Sequence, residues 1–199
     1  MFSLFFDGIQ RDLQIAILPP VLCALFRLLF IEIYRAKKSP LGEWRKWYHC
    51  FRYGFWWGMD VYGYFFLLLV LLVSLPGAFL PFYYSVGDTI RQVVVTMYAI
   101  AIYTAFLGKM IFYYHYHDIF NSTLWLGKNA EKHNLLDIFF HQDHGALLLL
   151  SYIPYTLLCW WAGKVFMLIP QLPYYHVSSD LLQITLNVCV VLAVVAIYY

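Results

Sequence analysis

Apolar residues run through this chain in five long blocks, and the polar residues are gathered between them. The blocks cover about 13–34, 61–80, 89–114, 146–168 and 181–199. Each is roughly 20 residues long, the number an α-helix needs to cross the hydrocarbon core of a bilayer. The predicted fold class is all-α: one transmembrane domain over 1–199, a polytopic membrane protein with five transmembrane helices. Breakers punctuate the blocks. Pro19 and Pro20 remove two backbone donors, so a helix either starts or kinks there. Pro76, Gly77 and Pro81 end the second block, and a short loop, Phe82 to Asp88, leads to the third, which makes those two helices antiparallel neighbours. Pro154 interrupts the fourth, and Ser178 or Ser179 can cap the fifth.

Two polar stretches carry what is not hydrocarbon-soluble. The first, 35–58, interleaves Arg35, Lys37, Lys38, Arg45, Lys46 and Arg52 with Trp44, Trp47, Tyr48, Trp56 and Trp57. After a turn at Ser39, Pro40 and Gly42, its mixture of basic and aromatic residues predicts an interfacial amphipathic helix at about 43–57, in the headgroup layer. Such a segment serves either as topology charges with an aromatic belt or as a recognition surface for anionic lipid headgroups. Asp60 follows, where a helix N-terminus favours an acid. Within the first block, Arg27 costs roughly 2.5–3.5 kcal/mol at a helix centre, so it is expected to face other helices or an interface.

The second stretch, Lys109 to Gly145, holds five of the seven histidines. His115, His117 and Asp118 close the third block, and Asn121, Ser122 and Thr123 match a glycosylation acceptor, a short and unspecific pattern. His133, Asp137, His141 and His144 recur at spacings of four, four and three, on one face of a predicted interfacial helix at 130–144. Leu135, Leu136, Phe139 and Phe140 form its apolar back. Histidines so spaced can share a zinc or iron ion, which keeps a histidine-dependent membrane metalloenzyme open as one reading. A solvated or headgroup-facing histidine surface is the plainer one.

Composition narrows the class. The chain is 63% hydrophobic and only 12% charged, about half the charged fraction of a soluble domain, with a mean hydropathy of +0.67. A formal net charge of +2 is too small to imply nucleic acid. Cys23, Cys50, Cys159 and Cys189 are too scattered for a disulfide framework or a CxxC metal site. The N-terminus lacks a basic start and a small-residue cleavage site, so the first helix is expected to be retained. There is no Gly-rich phosphate loop, GxSxG elbow or HExxH motif, and no catalytic or metal-binding residue is assigned. The lipid- or substrate-proximal candidates are Lys37, Lys38, Arg45, Lys46, Arg52, Asp60, His115, His117, Asp118, Asn121, His133, Asp137, His141 and His144.

Three features carry a family resemblance: HCFRYGFWWGMDVYGYFFLLLVLLVSLP from His49 to Pro76, FYYHYHDIFNSTL from Phe112 to Leu124, and the order of five spans. Together they resemble the N-terminal membrane domain of the lipoteichoic acid synthase family, bacterial membrane-anchored phosphoglycerol transferases of the alkaline phosphatase and sulfatase superfamily. The resemblance implies a location in the bacterial cytoplasmic membrane and anionic lipids such as phosphatidylglycerol as partners. It also implies a C-terminal catalytic domain following residue 199 that carries the threonine nucleophile and a divalent metal, leaving no cofactor to this chain. The family topology puts the basic 35–52 loop outside the cell, against the positive-inside tendency. The other reading is a self-contained small membrane protein of the binding or scaffold class.

Overall fold

The computed structural model describes residues 2–34, 44–117, 138–171 and 180–198, and among these every regular element is helical. The helices are α1 (Phe2–Ala16), α2 (Leu18–Tyr34), α3 (Trp44–Leu69), α4 (Leu75–Phe79), α5 (Pro81–Tyr116), α6 (Gly145–Met167) and α7 (Asp180–Tyr198). Wider π turns occupy Val70–Ser74, between α3 and α4, and Ile138–Gln142, ahead of α6.

Among the described residues four helical stretches are long and apolar enough to cross a membrane: Ser3–Tyr34, Tyr62–Phe79, Ser85–Tyr116 and Gly145–Met167. The fifth expected span corresponds to α7, whose apolar stretch Asp180–Val190 is shorter. Ser178 and Ser179, its expected caps, lie outside the described residues.

The directions of the helices follow from residues that meet. Phe26 stacks on Phe106 and Tyr34 packs on Tyr113, so α2 and α5 run the same way. Phe65 stacks on Tyr98 while Arg27 reaches Phe51, so α3 runs opposite to α2. Tyr103 meets Ser151 and Gln92 meets Trp160, so α6 runs opposite to α5. The result is an up-down-up-down bundle. Its apolar centre gathers Ile15, Leu18, Leu22, Phe65, Leu69, Val95, Ala99 and Cys159.

Several boundaries differ from the sequence expectation, each for a physical reason. The first helix starts at Phe2 rather than near Leu13. It is broken only at Ile17, where Pro19 and Pro20 fall in the first turn of α2, the positions whose N–H groups need no helical partner. The segment 43–57 is no separate interfacial helix. From Trp44 to Leu69 no proline intervenes, and the helix runs through Gly54, Gly58 and Gly63 without a break.

Pro76 and Gly77 do not end the second span either. The π turn at Val70–Ser74 rearranges the backbone bonding just ahead of Pro76, which then sits at the start of α4. The break falls at Leu80, extended at φ −114° and ψ 112°. Pro81 then opens α5, so the expected loop 82–88 forms that helix's first turns. Pro154 lies inside α6 without ending it.

A buried charge hub and a basic cavity

The two ends of the bundle carry different polar groups. At the α1 end, Asp12 is fully buried and Arg91 is 5% exposed. Glycine and short side chains let them meet. Arg91 donates from Nε to Asp12 Oδ1 at 2.6 Å, from Nη2 to Ser74 Oγ at 2.8 Å and to the Gly8 carbonyl at 3.3 Å, and from Nη1 to Asp88 at 3.2 Å. Ser74 in turn donates to the second oxygen of Asp12, and Arg11 pairs with Asp88 at the rim. Gly8 is required here, because a Cβ would stand 2.7 Å from Ser74 Oγ.

Two glutamines extend this polar layer. Gln92 donates to the Trp160 carbonyl at 2.6 Å and Gln14 to the Ile169 carbonyl at 2.8 Å, tying α6 to α5 and α1. Gly163 leaves room for the Gln92 amide, since a Cβ there would lie 2.6 Å from Nε2. Asp12 and Asp88 offset Arg91 and Arg11, and Asp7 adds a further carboxylate within electrostatic reach of Arg11, so both guanidiniums are balanced inside the protein. Such a network fixes helix register, because losing any one member strands the others away from water.

The opposite end holds a half-open cavity of about 350 Å3 between α2 and α3, lined by Arg27, Arg52, Tyr48, Tyr62, Phe51, Cys23, Ala24 and Pro20. Arg27 Nη1 lies 3.5 Å from the Phe51 carbonyl, the outer limit of a hydrogen bond. The neighbouring ends of α2 and α5 are tied by Tyr34, whose hydroxyl donates to the Met110 carbonyl at 2.9 Å, and by Lys109 over the Phe30 ring at 4.6 Å.

The sequence candidates distribute unevenly. Arg52 lines the cavity, and Arg45 is exposed on the first turn of α3. Lys46 and Asp60 lie within α3. His115 joins Asp143 at 2.8 Å, clasping the end of α5 to the segment that leads into α6. His117, left-handed at φ 51°, terminates α5, and His144, at φ 54°, precedes α6.

His141 is exposed in the Ile138–Gln142 turn. That π winding, ended by left-handed His144, replaces the α-helical face expected through 144, so the spacing of His141 and His144 no longer reports a shared face. Lys37, Lys38, Asp118, Asn121, His133 and Asp137 lie outside the described residues. Among the described residues no three His, Cys, Asp or Glu side chains group as a metal site.

The residues that sequence reasoning passed over are Asp12, Arg91, Ser74 and Asp88. The signal was present: an acid and an arginine inside apolar helical segments are functional or structural markers by default.

The class these features define is, over the described residues, an all-helical protein with four helices long and apolar enough to cross a membrane and a buried polar hub at one end. No family model matches the chain, and neither a related protein nor a solved structure is similar to it.

Proposed function

We propose that this chain is the membrane anchor and headgroup-proximal platform of a lipoteichoic acid synthase-like transferase in the bacterial cytoplasmic membrane. In this reading α7 makes the fifth crossing and a following catalytic domain moves the phosphoglycerol-type group. That domain would carry the divalent metal, and this chain supplies no catalytic residue.

The observation that supports it is the convergence of the two polar stretches. The basic, aromatic start of α3 and the histidine-bearing end of α5 share one end of the bundle, beside the tie from Tyr34 to Met110. An anchor that presents basic, aromatic and histidine groups together at one membrane face is suited to holding an active site near anionic headgroups.

Single cysteines at Ser39 and Ser122, in a chain whose four native cysteines are replaced, test this with a membrane-impermeant thiol reagent on intact cells. Both positions are expected to label from outside. Labelling of only one, or of neither until the cells are opened, overturns the proposal. A reading frame that continues past Tyr199 into a sulfatase-like domain is expected in the gene, whereas a stop codon there would favour a self-contained scaffold.

A further inference from the structure

The cavity between α2 and α3 differs from the hub in the described partners of its charges. Among the described residues no carboxylate pairs with Arg27 or Arg52. Arg27 sits seven residues before the end of α2, roughly 10 Å along the axis at 1.5 Å per residue. An arginine there carries a cost of up to about 2.5–3.5 kcal/mol in an apolar span unless a counter-charge or water reaches it.

The volume of about 350 Å3 falls at the lower end of the roughly 300–1,000 Å3 of small-ligand sites. Two guanidinium forks match the oxygens of a phosphate group, and the phenols of Tyr48 and Tyr62 border the same space. Phe51 and Ala24 give the cavity an apolar wall, which favours a phosphate attached to hydrocarbon over a free one.

We propose that this cavity binds the phosphate of an anionic membrane phospholipid, held between Arg27 and Arg52. The proposal rests on the platform reading only in taking the bundle as membrane-embedded. It requires neither a catalytic domain nor a given orientation.

The full chain, reconstituted into phosphatidylcholine nanodiscs containing a minor fraction of phosphatidylglycerol, is examined by native mass spectrometry for retained phosphatidylglycerol. The wild type is expected to keep one such lipid. Arg52 is exposed, so R52Q should fold with an unchanged thermal midpoint while binding about tenfold more weakly, the loss of one charged hydrogen-bonding partner. A24L narrows the cavity without touching its charge and should lose the lipid as well, whereas K164Q, on an exposed face of α6 away from the cavity, should keep it.

Unchanged retention in R52Q overturns the proposal, as does an equal loss in K164Q, which would mark attraction to net positive charge alone. Displacement of the lipid by glycerol phosphate or inorganic phosphate overturns the lipid assignment. If the wild type retains no phosphatidylglycerol while positions 39 and 122 label from outside, the cavity proposal fails and the platform reading stands.

Discussion

Replacing Asp12 by Asn tests whether the hub holds the bundle together. The substitution keeps the side-chain shape and removes one negative charge from a site with no solvent access. Arg91 then keeps Ser74, the Gly8 carbonyl and Asp88, but loses its 2.6 Å carboxylate partner. Stranding one member of a buried pair costs about 3–5 kcal/mol. Asp88, at 3.2 Å and 44% exposed, compensates in part, so the lower end applies, about 3 kcal/mol.

For a chain of this length that amounts to a drop in thermal midpoint of roughly 6–12 °C. The seven tryptophans make intrinsic fluorescence in detergent micelles a direct assay. The double variant D12N/R91Q removes both charges together, so its loss should fall short of the summed single losses by about 1–3 kcal/mol. A D12N midpoint within about 1 °C of wild type, a shift worth well under 1 kcal/mol, would refute the reasoning. So would strict additivity in the double variant.

Other perturbations probe the same packing. S74A removes a hydroxyl that serves both Asp12 and Arg91 and should cost about 1–3 kcal/mol by leaving buried charge under-satisfied, read from the same thermal melts. G163A pushes a methyl against the Gln92 amide and should destabilise by about 1–3 kcal/mol, with the loss suppressed in Q92A/G163A. H115A breaks a single partly exposed link to Asp143. It should lower global stability by under about 1 kcal/mol while speeding amide exchange across the Ile138–Gln142 turn.

Four of the five apolar blocks were legible as helices long and apolar enough to cross a membrane, and so were the helical character of the described residues, the boundaries of α6 and the break at Pro81, because length and proline chemistry act locally. The rest depended on partners distant in sequence. From Phe2 to Ala16 polar and apolar residues are mixed, and Asp12, just ahead of the first apolar block, gains its role only when Arg91, 79 positions later, is brought against it. Pro76 reads as a terminator until the π turn before it is seen. His117 and His144 read as headgroup-facing candidates, yet each adopts a left-handed backbone at a helix boundary, a conformation that spacing does not reveal in a residue other than glycine. In the cavity, Arg27 and Arg52 were each noticed alone. Their convergence follows from the antiparallel run of α2 and α3, which places residue 27 beside residue 51.

The continuous Ser3–Tyr34 span carries arginine at both ends of the bundle, and the surroundings divide the two into different roles. Arg11 joins a set in which Asp12 and Asp88 pair with both guanidiniums and Asp7 lies within electrostatic reach, so the hub's arginines are balanced within the protein. Arg27 faces a cavity with a second arginine, and among the described residues no carboxylate pairs with either, so an anion or water entering the cavity would offset their charge. A network whose arginines are balanced within the protein gains little from a ligand, whereas two guanidiniums beside an apolar wall gain a counter-ion from one. This asymmetry, rather than the histidine count, separates the end that fixes the bundle from the end that meets the lipid. It also orders the expected losses: variants at Asp12 and Ser74 should lower the thermal midpoint, and those at Arg52 should empty the cavity of a chain that melts as before.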